Sequence, residues 1–373
     1  MHISNFLIFL CLFTVAGERT PKTRYADGRP STAMRMNAQD QGIVLKHGNC
    51  PGNCDEYGAR DAWVFKSGSN FYLHYDGAGP KAWLTSLATS TDLIHWTKKG
   101  AVIELGPPGS PDSASAAYGT TYWNGFKWFM FYLGTPNVTS PPDRIPNFPY
   151  MTLEAEAPKP TGPWRKLNLR PFRPEPGTFY SVTASPGSVV KDGSEYIQLF
   201  SAATVDKNHR IKRTIGLART TNLEKSWTIA PSPVLPPEEQ IENTSLYYEK
   251  TSKLWYMFVN HIGIDKKGLE YTDSIWVYWS KNVQKWNAKD KAVVLDGQNC
   301  TWAKRCIGLP TVMPYGRRLA VFYDSPGGDR TTHMHRNIGL AWLSLPLRTP
   351  VSLSAEQAAR TNATDGALTS RRP

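Results

Sequence analysis

The sequence predicts an all-β chain folded as a five-bladed β-propeller. Three observations predict it. An aromatic strand segment recurs five times, each copy follows a polar or glycine turn, and most copies lead to a second polar turn closed by tryptophan. Repeats at a fixed period define the architecture before any local reading does.

The five segments are Phe71–Tyr75, Trp128–Tyr132, Tyr196–Phe200, Trp255–Val259 and Leu319–Tyr323, and their ends lie 57, 68, 59 and 64 residues apart. Aromatic and branched residues at this density favour strands. Ser67-Gly68-Ser69, Asn124-Gly125, Lys191-Asp192-Gly193, Thr251-Ser252 and Tyr315-Gly316 precede them as turns. A further strand-like run stands ahead of each turn, so each unit opens with a hairpin. The second halves match as well: Trp83–Ala88, Arg213–Ala218, Asp273–Tyr278 and Arg336–Ala341. Three of these lead to a turn ending in Trp96, Trp227 or Trp286, and unit two has the variant Thr161-Gly-Pro-Trp164. About sixty residues with four short strands is the size of a propeller blade. A β-sandwich predicts neither the spacing nor the tryptophan turn.

Residues 1–17 read as an export signal, with the apolar run Phe6–Ala16 too short to span a bilayer and small residues ahead of a cut after Gly17. Residues 18–39 form a polar lead, 40–346 the propeller, and 347–373 an Ala-, Ser-, Thr- and Arg-rich tail expected to be disordered. Ile43-Val-Leu45 is placed to supply a strand that closes the ring. The mature protein is expected to be secreted or periplasmic. Losing Cys11 with the signal leaves four cysteines, and local bridges Cys50–Cys54 and Cys300–Cys306 are the simplest pairing. No usual metal-ligand spacing is present, so no metal or cofactor is expected apart from a structural or channel-bound cation. The net charge of +12 fits an anionic polysaccharide partner or a generally basic surface. No nucleic-acid motif or lasting membrane span is read.

Propellers bind ligands at one mouth of the central channel, so the reactive residues belong where the innermost strands begin. Setting the repeats in register places Asp61 at a position held elsewhere by Ala117, Ser185, Thr244 and Gly308. Only unit one puts a carboxylate there. Unit four offers Glu242 two residues before Thr244, on the same strand face by the period of two. The loops between second and third strands carry His261 with Glu270 and Asp273, and His333 with Arg336. Asp112 lies ahead of unit two. A histidine or carboxylate on such a rim suits proton transfer or binding of sugar hydroxyls.

Arg60-Asp61-Ala62-Trp63-Val64, the five units and the Ser-x-Asp-Leu-x-x-Trp turn resemble the five-bladed glycoside hydrolases related to families 43, 32 and 117, over about residues 40–345. The resemblance implies that Asp61 is the base of an inverting enzyme or the nucleophile of a retaining one. It also implies a blade-three Glu as acid and a blade-two Asp that tunes it. Blade three here reads Thr183-Ala-Ser-Pro-Gly187 and blade two has Ala117, so both departures are plain. The His261…Glu270 pair looks more like the family 117 arrangement. The expected reaction is hydrolysis of glycosidic bonds in plant or algal poly- or oligosaccharides, with Asp61 as base and Glu242 or His261 as acid. Glu270 is expected to orient His261, and Arg60, Asp112, Asp273, His333 and Arg336 to bind substrate. The alternatives are a carbohydrate-binding propeller without catalysis and a protein-interaction propeller.

Overall fold

The computed structural model describes residue 25 and residues 28–350 of the 373, so the expected export signal and most of the expected tail lie outside the described residues. The described chain is all strand, turn and coil apart from two short 3-10 turns at Pro51–Asn53 and Pro237–Glu239. Strand pairing resolves into antiparallel units of four strands in chain order. Unit one holds Gly58–Ser67, Asn70–Ala78, Trp83–Ser90 and Thr97–Ala101. Unit two holds Ser115–Trp123, Trp128–Thr135, Tyr150–Ala157 and the short Arg165–Lys166. Unit three holds Thr183–Asp192, Glu195–Val205, Ile211–Thr220 and Thr228–Ile229. Unit four holds Ile241–Glu249, Leu254–Ile264, Glu270–Ser280 and Lys291–Leu295. Unit five combines Gly308–Tyr315, Arg318–Ser325 and Asn337–Ser344 with Gln39–Leu45 from the start of the chain. That strand contains the segment expected to close the ring, and it pairs with Asn337–Ser344 as the outer strand of the last unit.

The first strand of each unit touches the first strand of the next, and that of unit five touches that of unit one. This is a closed ring of sheets, a propeller. Its core lies at the joints between units. Tyr256, Phe258, Ile275 and Val277 of unit four meet Val312, Leu319, Val321 and Tyr323 of unit five in one cluster. Equivalent clusters join unit five to one, three to four, and two to three. Each sheet is therefore apolar on both faces, and no unit can bury its surface alone. The recurrent tryptophan is the peg of these joints. Trp96 meets Phe322 edge-on at 5.9 Å, Trp164 meets His74 at 5.6 Å, and Trp227 meets Phe131 at 5.7 Å. Each ring reaches the unit before its own.

A second repeated device is polar. The residue after each aromatic segment is Asp76, Leu133, Ser201, Asn260 or Asp324. Asp324 Oδ2 accepts the Asp61 N–H at 2.9 Å, Asp76 Oδ1 accepts the Tyr118 N–H, and Ser201 Oγ accepts the Asn243 N–H at 2.7 Å. Three joints thus share one latch, from a second strand to the first strand of the next unit. At the joint from unit two, Leu133 stands where the next unit offers Pro186, which has no N–H to donate. The latched strands bulge at this point, with φ of 54° at Asp61 and 55° at Asn243. A non-glycine residue at positive φ is held there by its surroundings.

The bulges correct the expected register. Cross-strand pairs Arg60–Asp76, Ser185–Ser201, Glu242–Asn260 and Gly308–Asp324, with Ala59–Gly77 matched by Ala116–Gly134, make the equivalents of Asp61 in units two, three, four and five Tyr118, Pro186, Asn243 and Leu309. The expected Ala117, Ser185, Thr244 and Gly308 are each one residue off, because an extra residue in one strand is invisible to gap-free spacing.

Cys50–Cys54 is a disulfide, as expected. The second expected bridge is absent: Cys300 and Cys306 are buried free thiols. Cys306 Sγ accepts from Arg336 Nη2 at 2.9 Å, and Cys300 Sγ lies 3.4 Å from the Tyr323 hydroxyl. Each sulfur has its own partner, which spacing alone could not show.

Glu154 is fully buried in unit two, and neither carboxylate oxygen has a hydrogen-bond partner. Burial pushes its pKa up to about 9, so it is neutral in the folded protein at pH 7. The folded state then binds a proton that the unfolded chain releases near the ordinary Glu value. Its contribution is complete below that value and declines as pH rises toward 9. Glu154→Gln is expected to stabilise the protein at pH 7.5 by about 1–3 kcal/mol, with the gain vanishing near pH 4. Urea melts of both proteins across pH check this; a gain independent of pH would contradict it.

Candidate active site

Asp61 sits at the mouth of the ring because the first strand of unit one bulges there and Asp324 holds its N–H. Its carboxylate Oδ1 lies 2.9 Å from Arg60 Nε, and Arg60 Nη1 donates to His333 Nδ1 at 2.8 Å. Burial raises the Asp61 pKa, the Arg60 charge opposes this, and Asp324 adds to it. Asp76 is pushed up much further, by burial and then by the charge of Asp61. The two carboxyls each shift the other's titration. Neighbouring like charges oppose each other's ionisation, so of the two Asp76 is the more strongly held toward its neutral form. Burial and then the neighbouring Arg60, Arg336 and Arg213 push the His333 pKa far down, leaving a neutral imidazole. It is thus an acceptor for Arg60 at Nδ1.

A second charged group stands on unit four. Arg213, from the third strand of unit three, donates Nη1 to Glu242 Oε2 at 2.5 Å. It also clasps Glu270 with Nε and Nη2, at 3.1 and 2.9 Å. One guanidinium therefore fixes two carboxylates, a geometry suited to arginine. Tyr118 and Tyr150 join the two groups. Tyr118 donates its hydroxyl hydrogen to Asn243 Oδ1 at 2.9 Å. Burial first, and then the charges of Asp61, Glu242 and Asp76, raise its pKa far above the usual value. Tyr150, pushed up to about 12 by burial, feels Arg213, Arg60, Glu242 and Asp61 together. The Asp61 and Glu242 groups thus act on the same two phenols.

Of the residues expected at the site, Arg60, Asp61, Glu242, Glu270 and His333 are tied to this mouth. The others are placed differently. His261 is completely buried, stacked on Trp276 at 4.0 Å and on Tyr25 at 5.3 Å. Asp273 Oδ1 takes its Nδ1 at 2.9 Å, so Asp273, and not Glu270, orients it. Burial works against the Asp273 charge, yet His261 and Arg29 hold its pKa below the usual carboxylate range. The pair therefore serves the packing of unit four against the chain start. Arg336 is 1% exposed and locked to Asp324 at 2.6 Å, behind Asp61 rather than open to a substrate. Asp112 is buried between Lys166 and the Tyr132 hydroxyl, and it anchors a loop.

Asp76 and Asp324 read from the sequence only as acids of the loops between second and third strands, Asp76 the less convincing, and Tyr118, Tyr150 and Arg213 escaped the sequence reading. For the first two a signal existed. Only units one and five follow the aromatic segment with an aspartate, and these units flank Asp61. Arg213 opens a repeated segment that reads as ordinary strand.

No family model matches the chain, and no curated protein matches it. Solved structures do. A protein solved as an RGII complex matches at 14% identity, with a TM-score of 0.62 over 84% of this chain and 96% of that one. The catalytic domain of the Coprinopsis cinerea GH62 α-L-arabinofuranosidase matches at 12% identity, with a TM-score of 0.58 over 83% and 98%. The endo-arabinase of Bacteroides thetaiotaomicron matches at 14% identity, with a TM-score of 0.56 over 83% and 99%. The chain has the β-propeller fold of these glycoside hydrolases over nearly their whole length.

Proposed function

We propose that the protein is a secreted or periplasmic glycoside hydrolase that cleaves plant or algal poly- or oligosaccharides with inversion, using Asp61 as base and Glu242 as acid. The observation that carries this is a pair of arginine-held carboxyl groups, Asp61 on Arg60 and Glu242 on Arg213, whose charges act on the same two phenols, Tyr118 and Tyr150. Glycoside hydrolysis needs one carboxylate to activate water and one carboxylic acid to protonate the leaving oxygen. Asp61 takes a proton from water as its oxygen attacks the anomeric carbon. Glu242 takes up a proton from solvent before each turnover while Arg213 stays paired with Glu270; the glycosidic C–O bond breaks, and that proton goes to the departing oxygen. Asp61 ends protonated and Glu242 ionised, and exchange with solvent restores both. The reaction as proposed uses side chains alone. His333 and Arg60 bind sugar hydroxyls beside Asp61. The apolar run Phe6–Ala16 and the Cys50–Cys54 bridge support export. The endo-arabinase and the RGII complex among the neighbours support a plant polysaccharide.

Glu242→Gln tests the acid. Its loss on oligosaccharides is expected to be about 10²–10⁴-fold, and far smaller on aryl glycosides, whose leaving groups depart without protonation. Equal losses on both substrates would remove Glu242 from that role. Pro186 and Tyr118, which take the place of Asp61 in units three and two, carry no carboxylate and favour a second reading: a propeller that binds carbohydrate without cleaving it.

A further inference from the structure

The charges at the mouth are paired: Arg60 with Asp61, Arg213 with Glu242 and Glu270, and Arg336 with Asp324. The basic excess of the chain must be expressed elsewhere. The opposite face carries part of it. Within unit one the first and third strands run parallel, and the third runs parallel to the first strand of unit two. The same holds between units two and three. First strands therefore share one direction, and the hairpins leaving them emerge on one face, away from Asp61.

Those hairpins, at 66–70, 123–128, 191–195, 249–254 and 315–318, carry seven basic residues against three acidic ones. Lys66, Lys191, Lys250, Lys253, Arg317 and Arg318 are exposed, and none makes an ion pair among the described residues. The exposed aromatic residues collect there too: Trp123, Phe126, Tyr248 and Tyr315, with Phe126 88% exposed. A tight turn capped by Asn124 Oδ1, which accepts from the N–H groups of Phe126 and Lys127, holds that ring out. Across the joint of units five and one the rings form a row. Lys66 lies 5.4 Å from the Phe71 ring, Phe71 5.7 Å from Tyr315, Tyr315 6.3 Å from Trp342, and Arg318 4.0 Å above Trp342. Phe71 and Trp342 are buried beneath this row, so Tyr315 is its one exposed ring, with the exposed Lys66 and Arg318 to either side. Rings stack on the apolar faces of sugars, and spaced cations match a polymer that carries one carboxylate per sugar.

We infer that the hairpin face is a second binding site, for an acidic polysaccharide of the uronate type, separate from the mouth. The choice of polysaccharide over nucleic acid rests on the hydrolase reading of the mouth. The face holds the polymer while the mouth acts on a neighbouring stretch or branch.

Affinity electrophoresis of the full-length protein through gels containing polygalacturonate tests it, with neutral linear arabinan and double-stranded DNA as parallel gels. Retardation by polygalacturonate is expected to weaken with salt. It should fall about tenfold in the combined variant Lys250→Ala, Lys253→Ala, Arg317→Ala, Arg318→Ala. Trp123→Ala with Phe126→Ala should lower it with no change in salt dependence. Neither variant should alter turnover of a short oligosaccharide, and Asp61→Asn should bind as the parent does. Retardation that both variants keep, or that arabinan or DNA matches, would overturn the inference. A parent that binds polygalacturonate in this way yet cleaves nothing would sink the hydrolase reading and leave the second site standing.

Discussion

Asp61→Asn is expected to lower turnover of any oligosaccharide substrate by about 10²–10⁴-fold, the usual contribution of a positioned general base. The substitution keeps the shape of the side chain and the backbone bond to Asp324, so the bulge at φ 54° should persist. What it removes is the ability to take a proton from water. It also removes the charge that helps to raise the Asp76 pKa. Unlike Glu242→Gln, the loss should be as large on aryl glycosides, because every substrate needs the nucleophile activated. The pH profile adds a check. Burial raises the Asp61 pKa, so activity should fall on the acid side at a higher pH than an ordinary Asp would give. Substrate binding measured calorimetrically should survive in the variant.

Asp324→Ala carries the largest expected effect on stability. Asp324 and Arg336 are both at most 1% exposed and are joined at 2.6 Å. Removing the carboxylate leaves a buried guanidinium without its counter-charge, and the Asp61 N–H loses its acceptor. Breaking such a pair costs about 3–5 kcal/mol. Removing both charges together is far milder, so Asp324→Asn with Arg336→Met should recover much of the loss. Denaturant midpoints of the single and double variants decide the matter. A single variant within about 1 kcal/mol of the parent would show that the pair does not support the bulge.

The propeller was legible because its signals are local and repeated. The aromatic segment, the hairpin turn and the tryptophan turn each recur within one unit, and even the closing strand at Ile43–Leu45 could be named. The site was less legible because it is assembled across units. Asp61 stood out by type and position, but its partners come from units one, two and five. Asp324 reaches it only through the ring closure, and Tyr118 through the next joint. Bulges moved the register by one residue in four units. His261 misled because a histidine near a strand end reads the same whether it faces a channel or a neighbouring tryptophan; only the 4.0 Å stack on Trp276 decides. Cys300 and Cys306 misled in the same way, since short spacing favours a bridge but does not bring the sulfurs together.

The most direct test of the hydrolytic mouth is reducing-sugar release by the parent protein and Asp61→Asn from a panel of plant and algal oligosaccharides. Proton NMR would follow the anomeric signal of the first product. Release by the parent, near-complete loss in the variant and an inverted initial anomer are expected. Binding of the same oligosaccharides without release, equal in parent and variant, would contradict it.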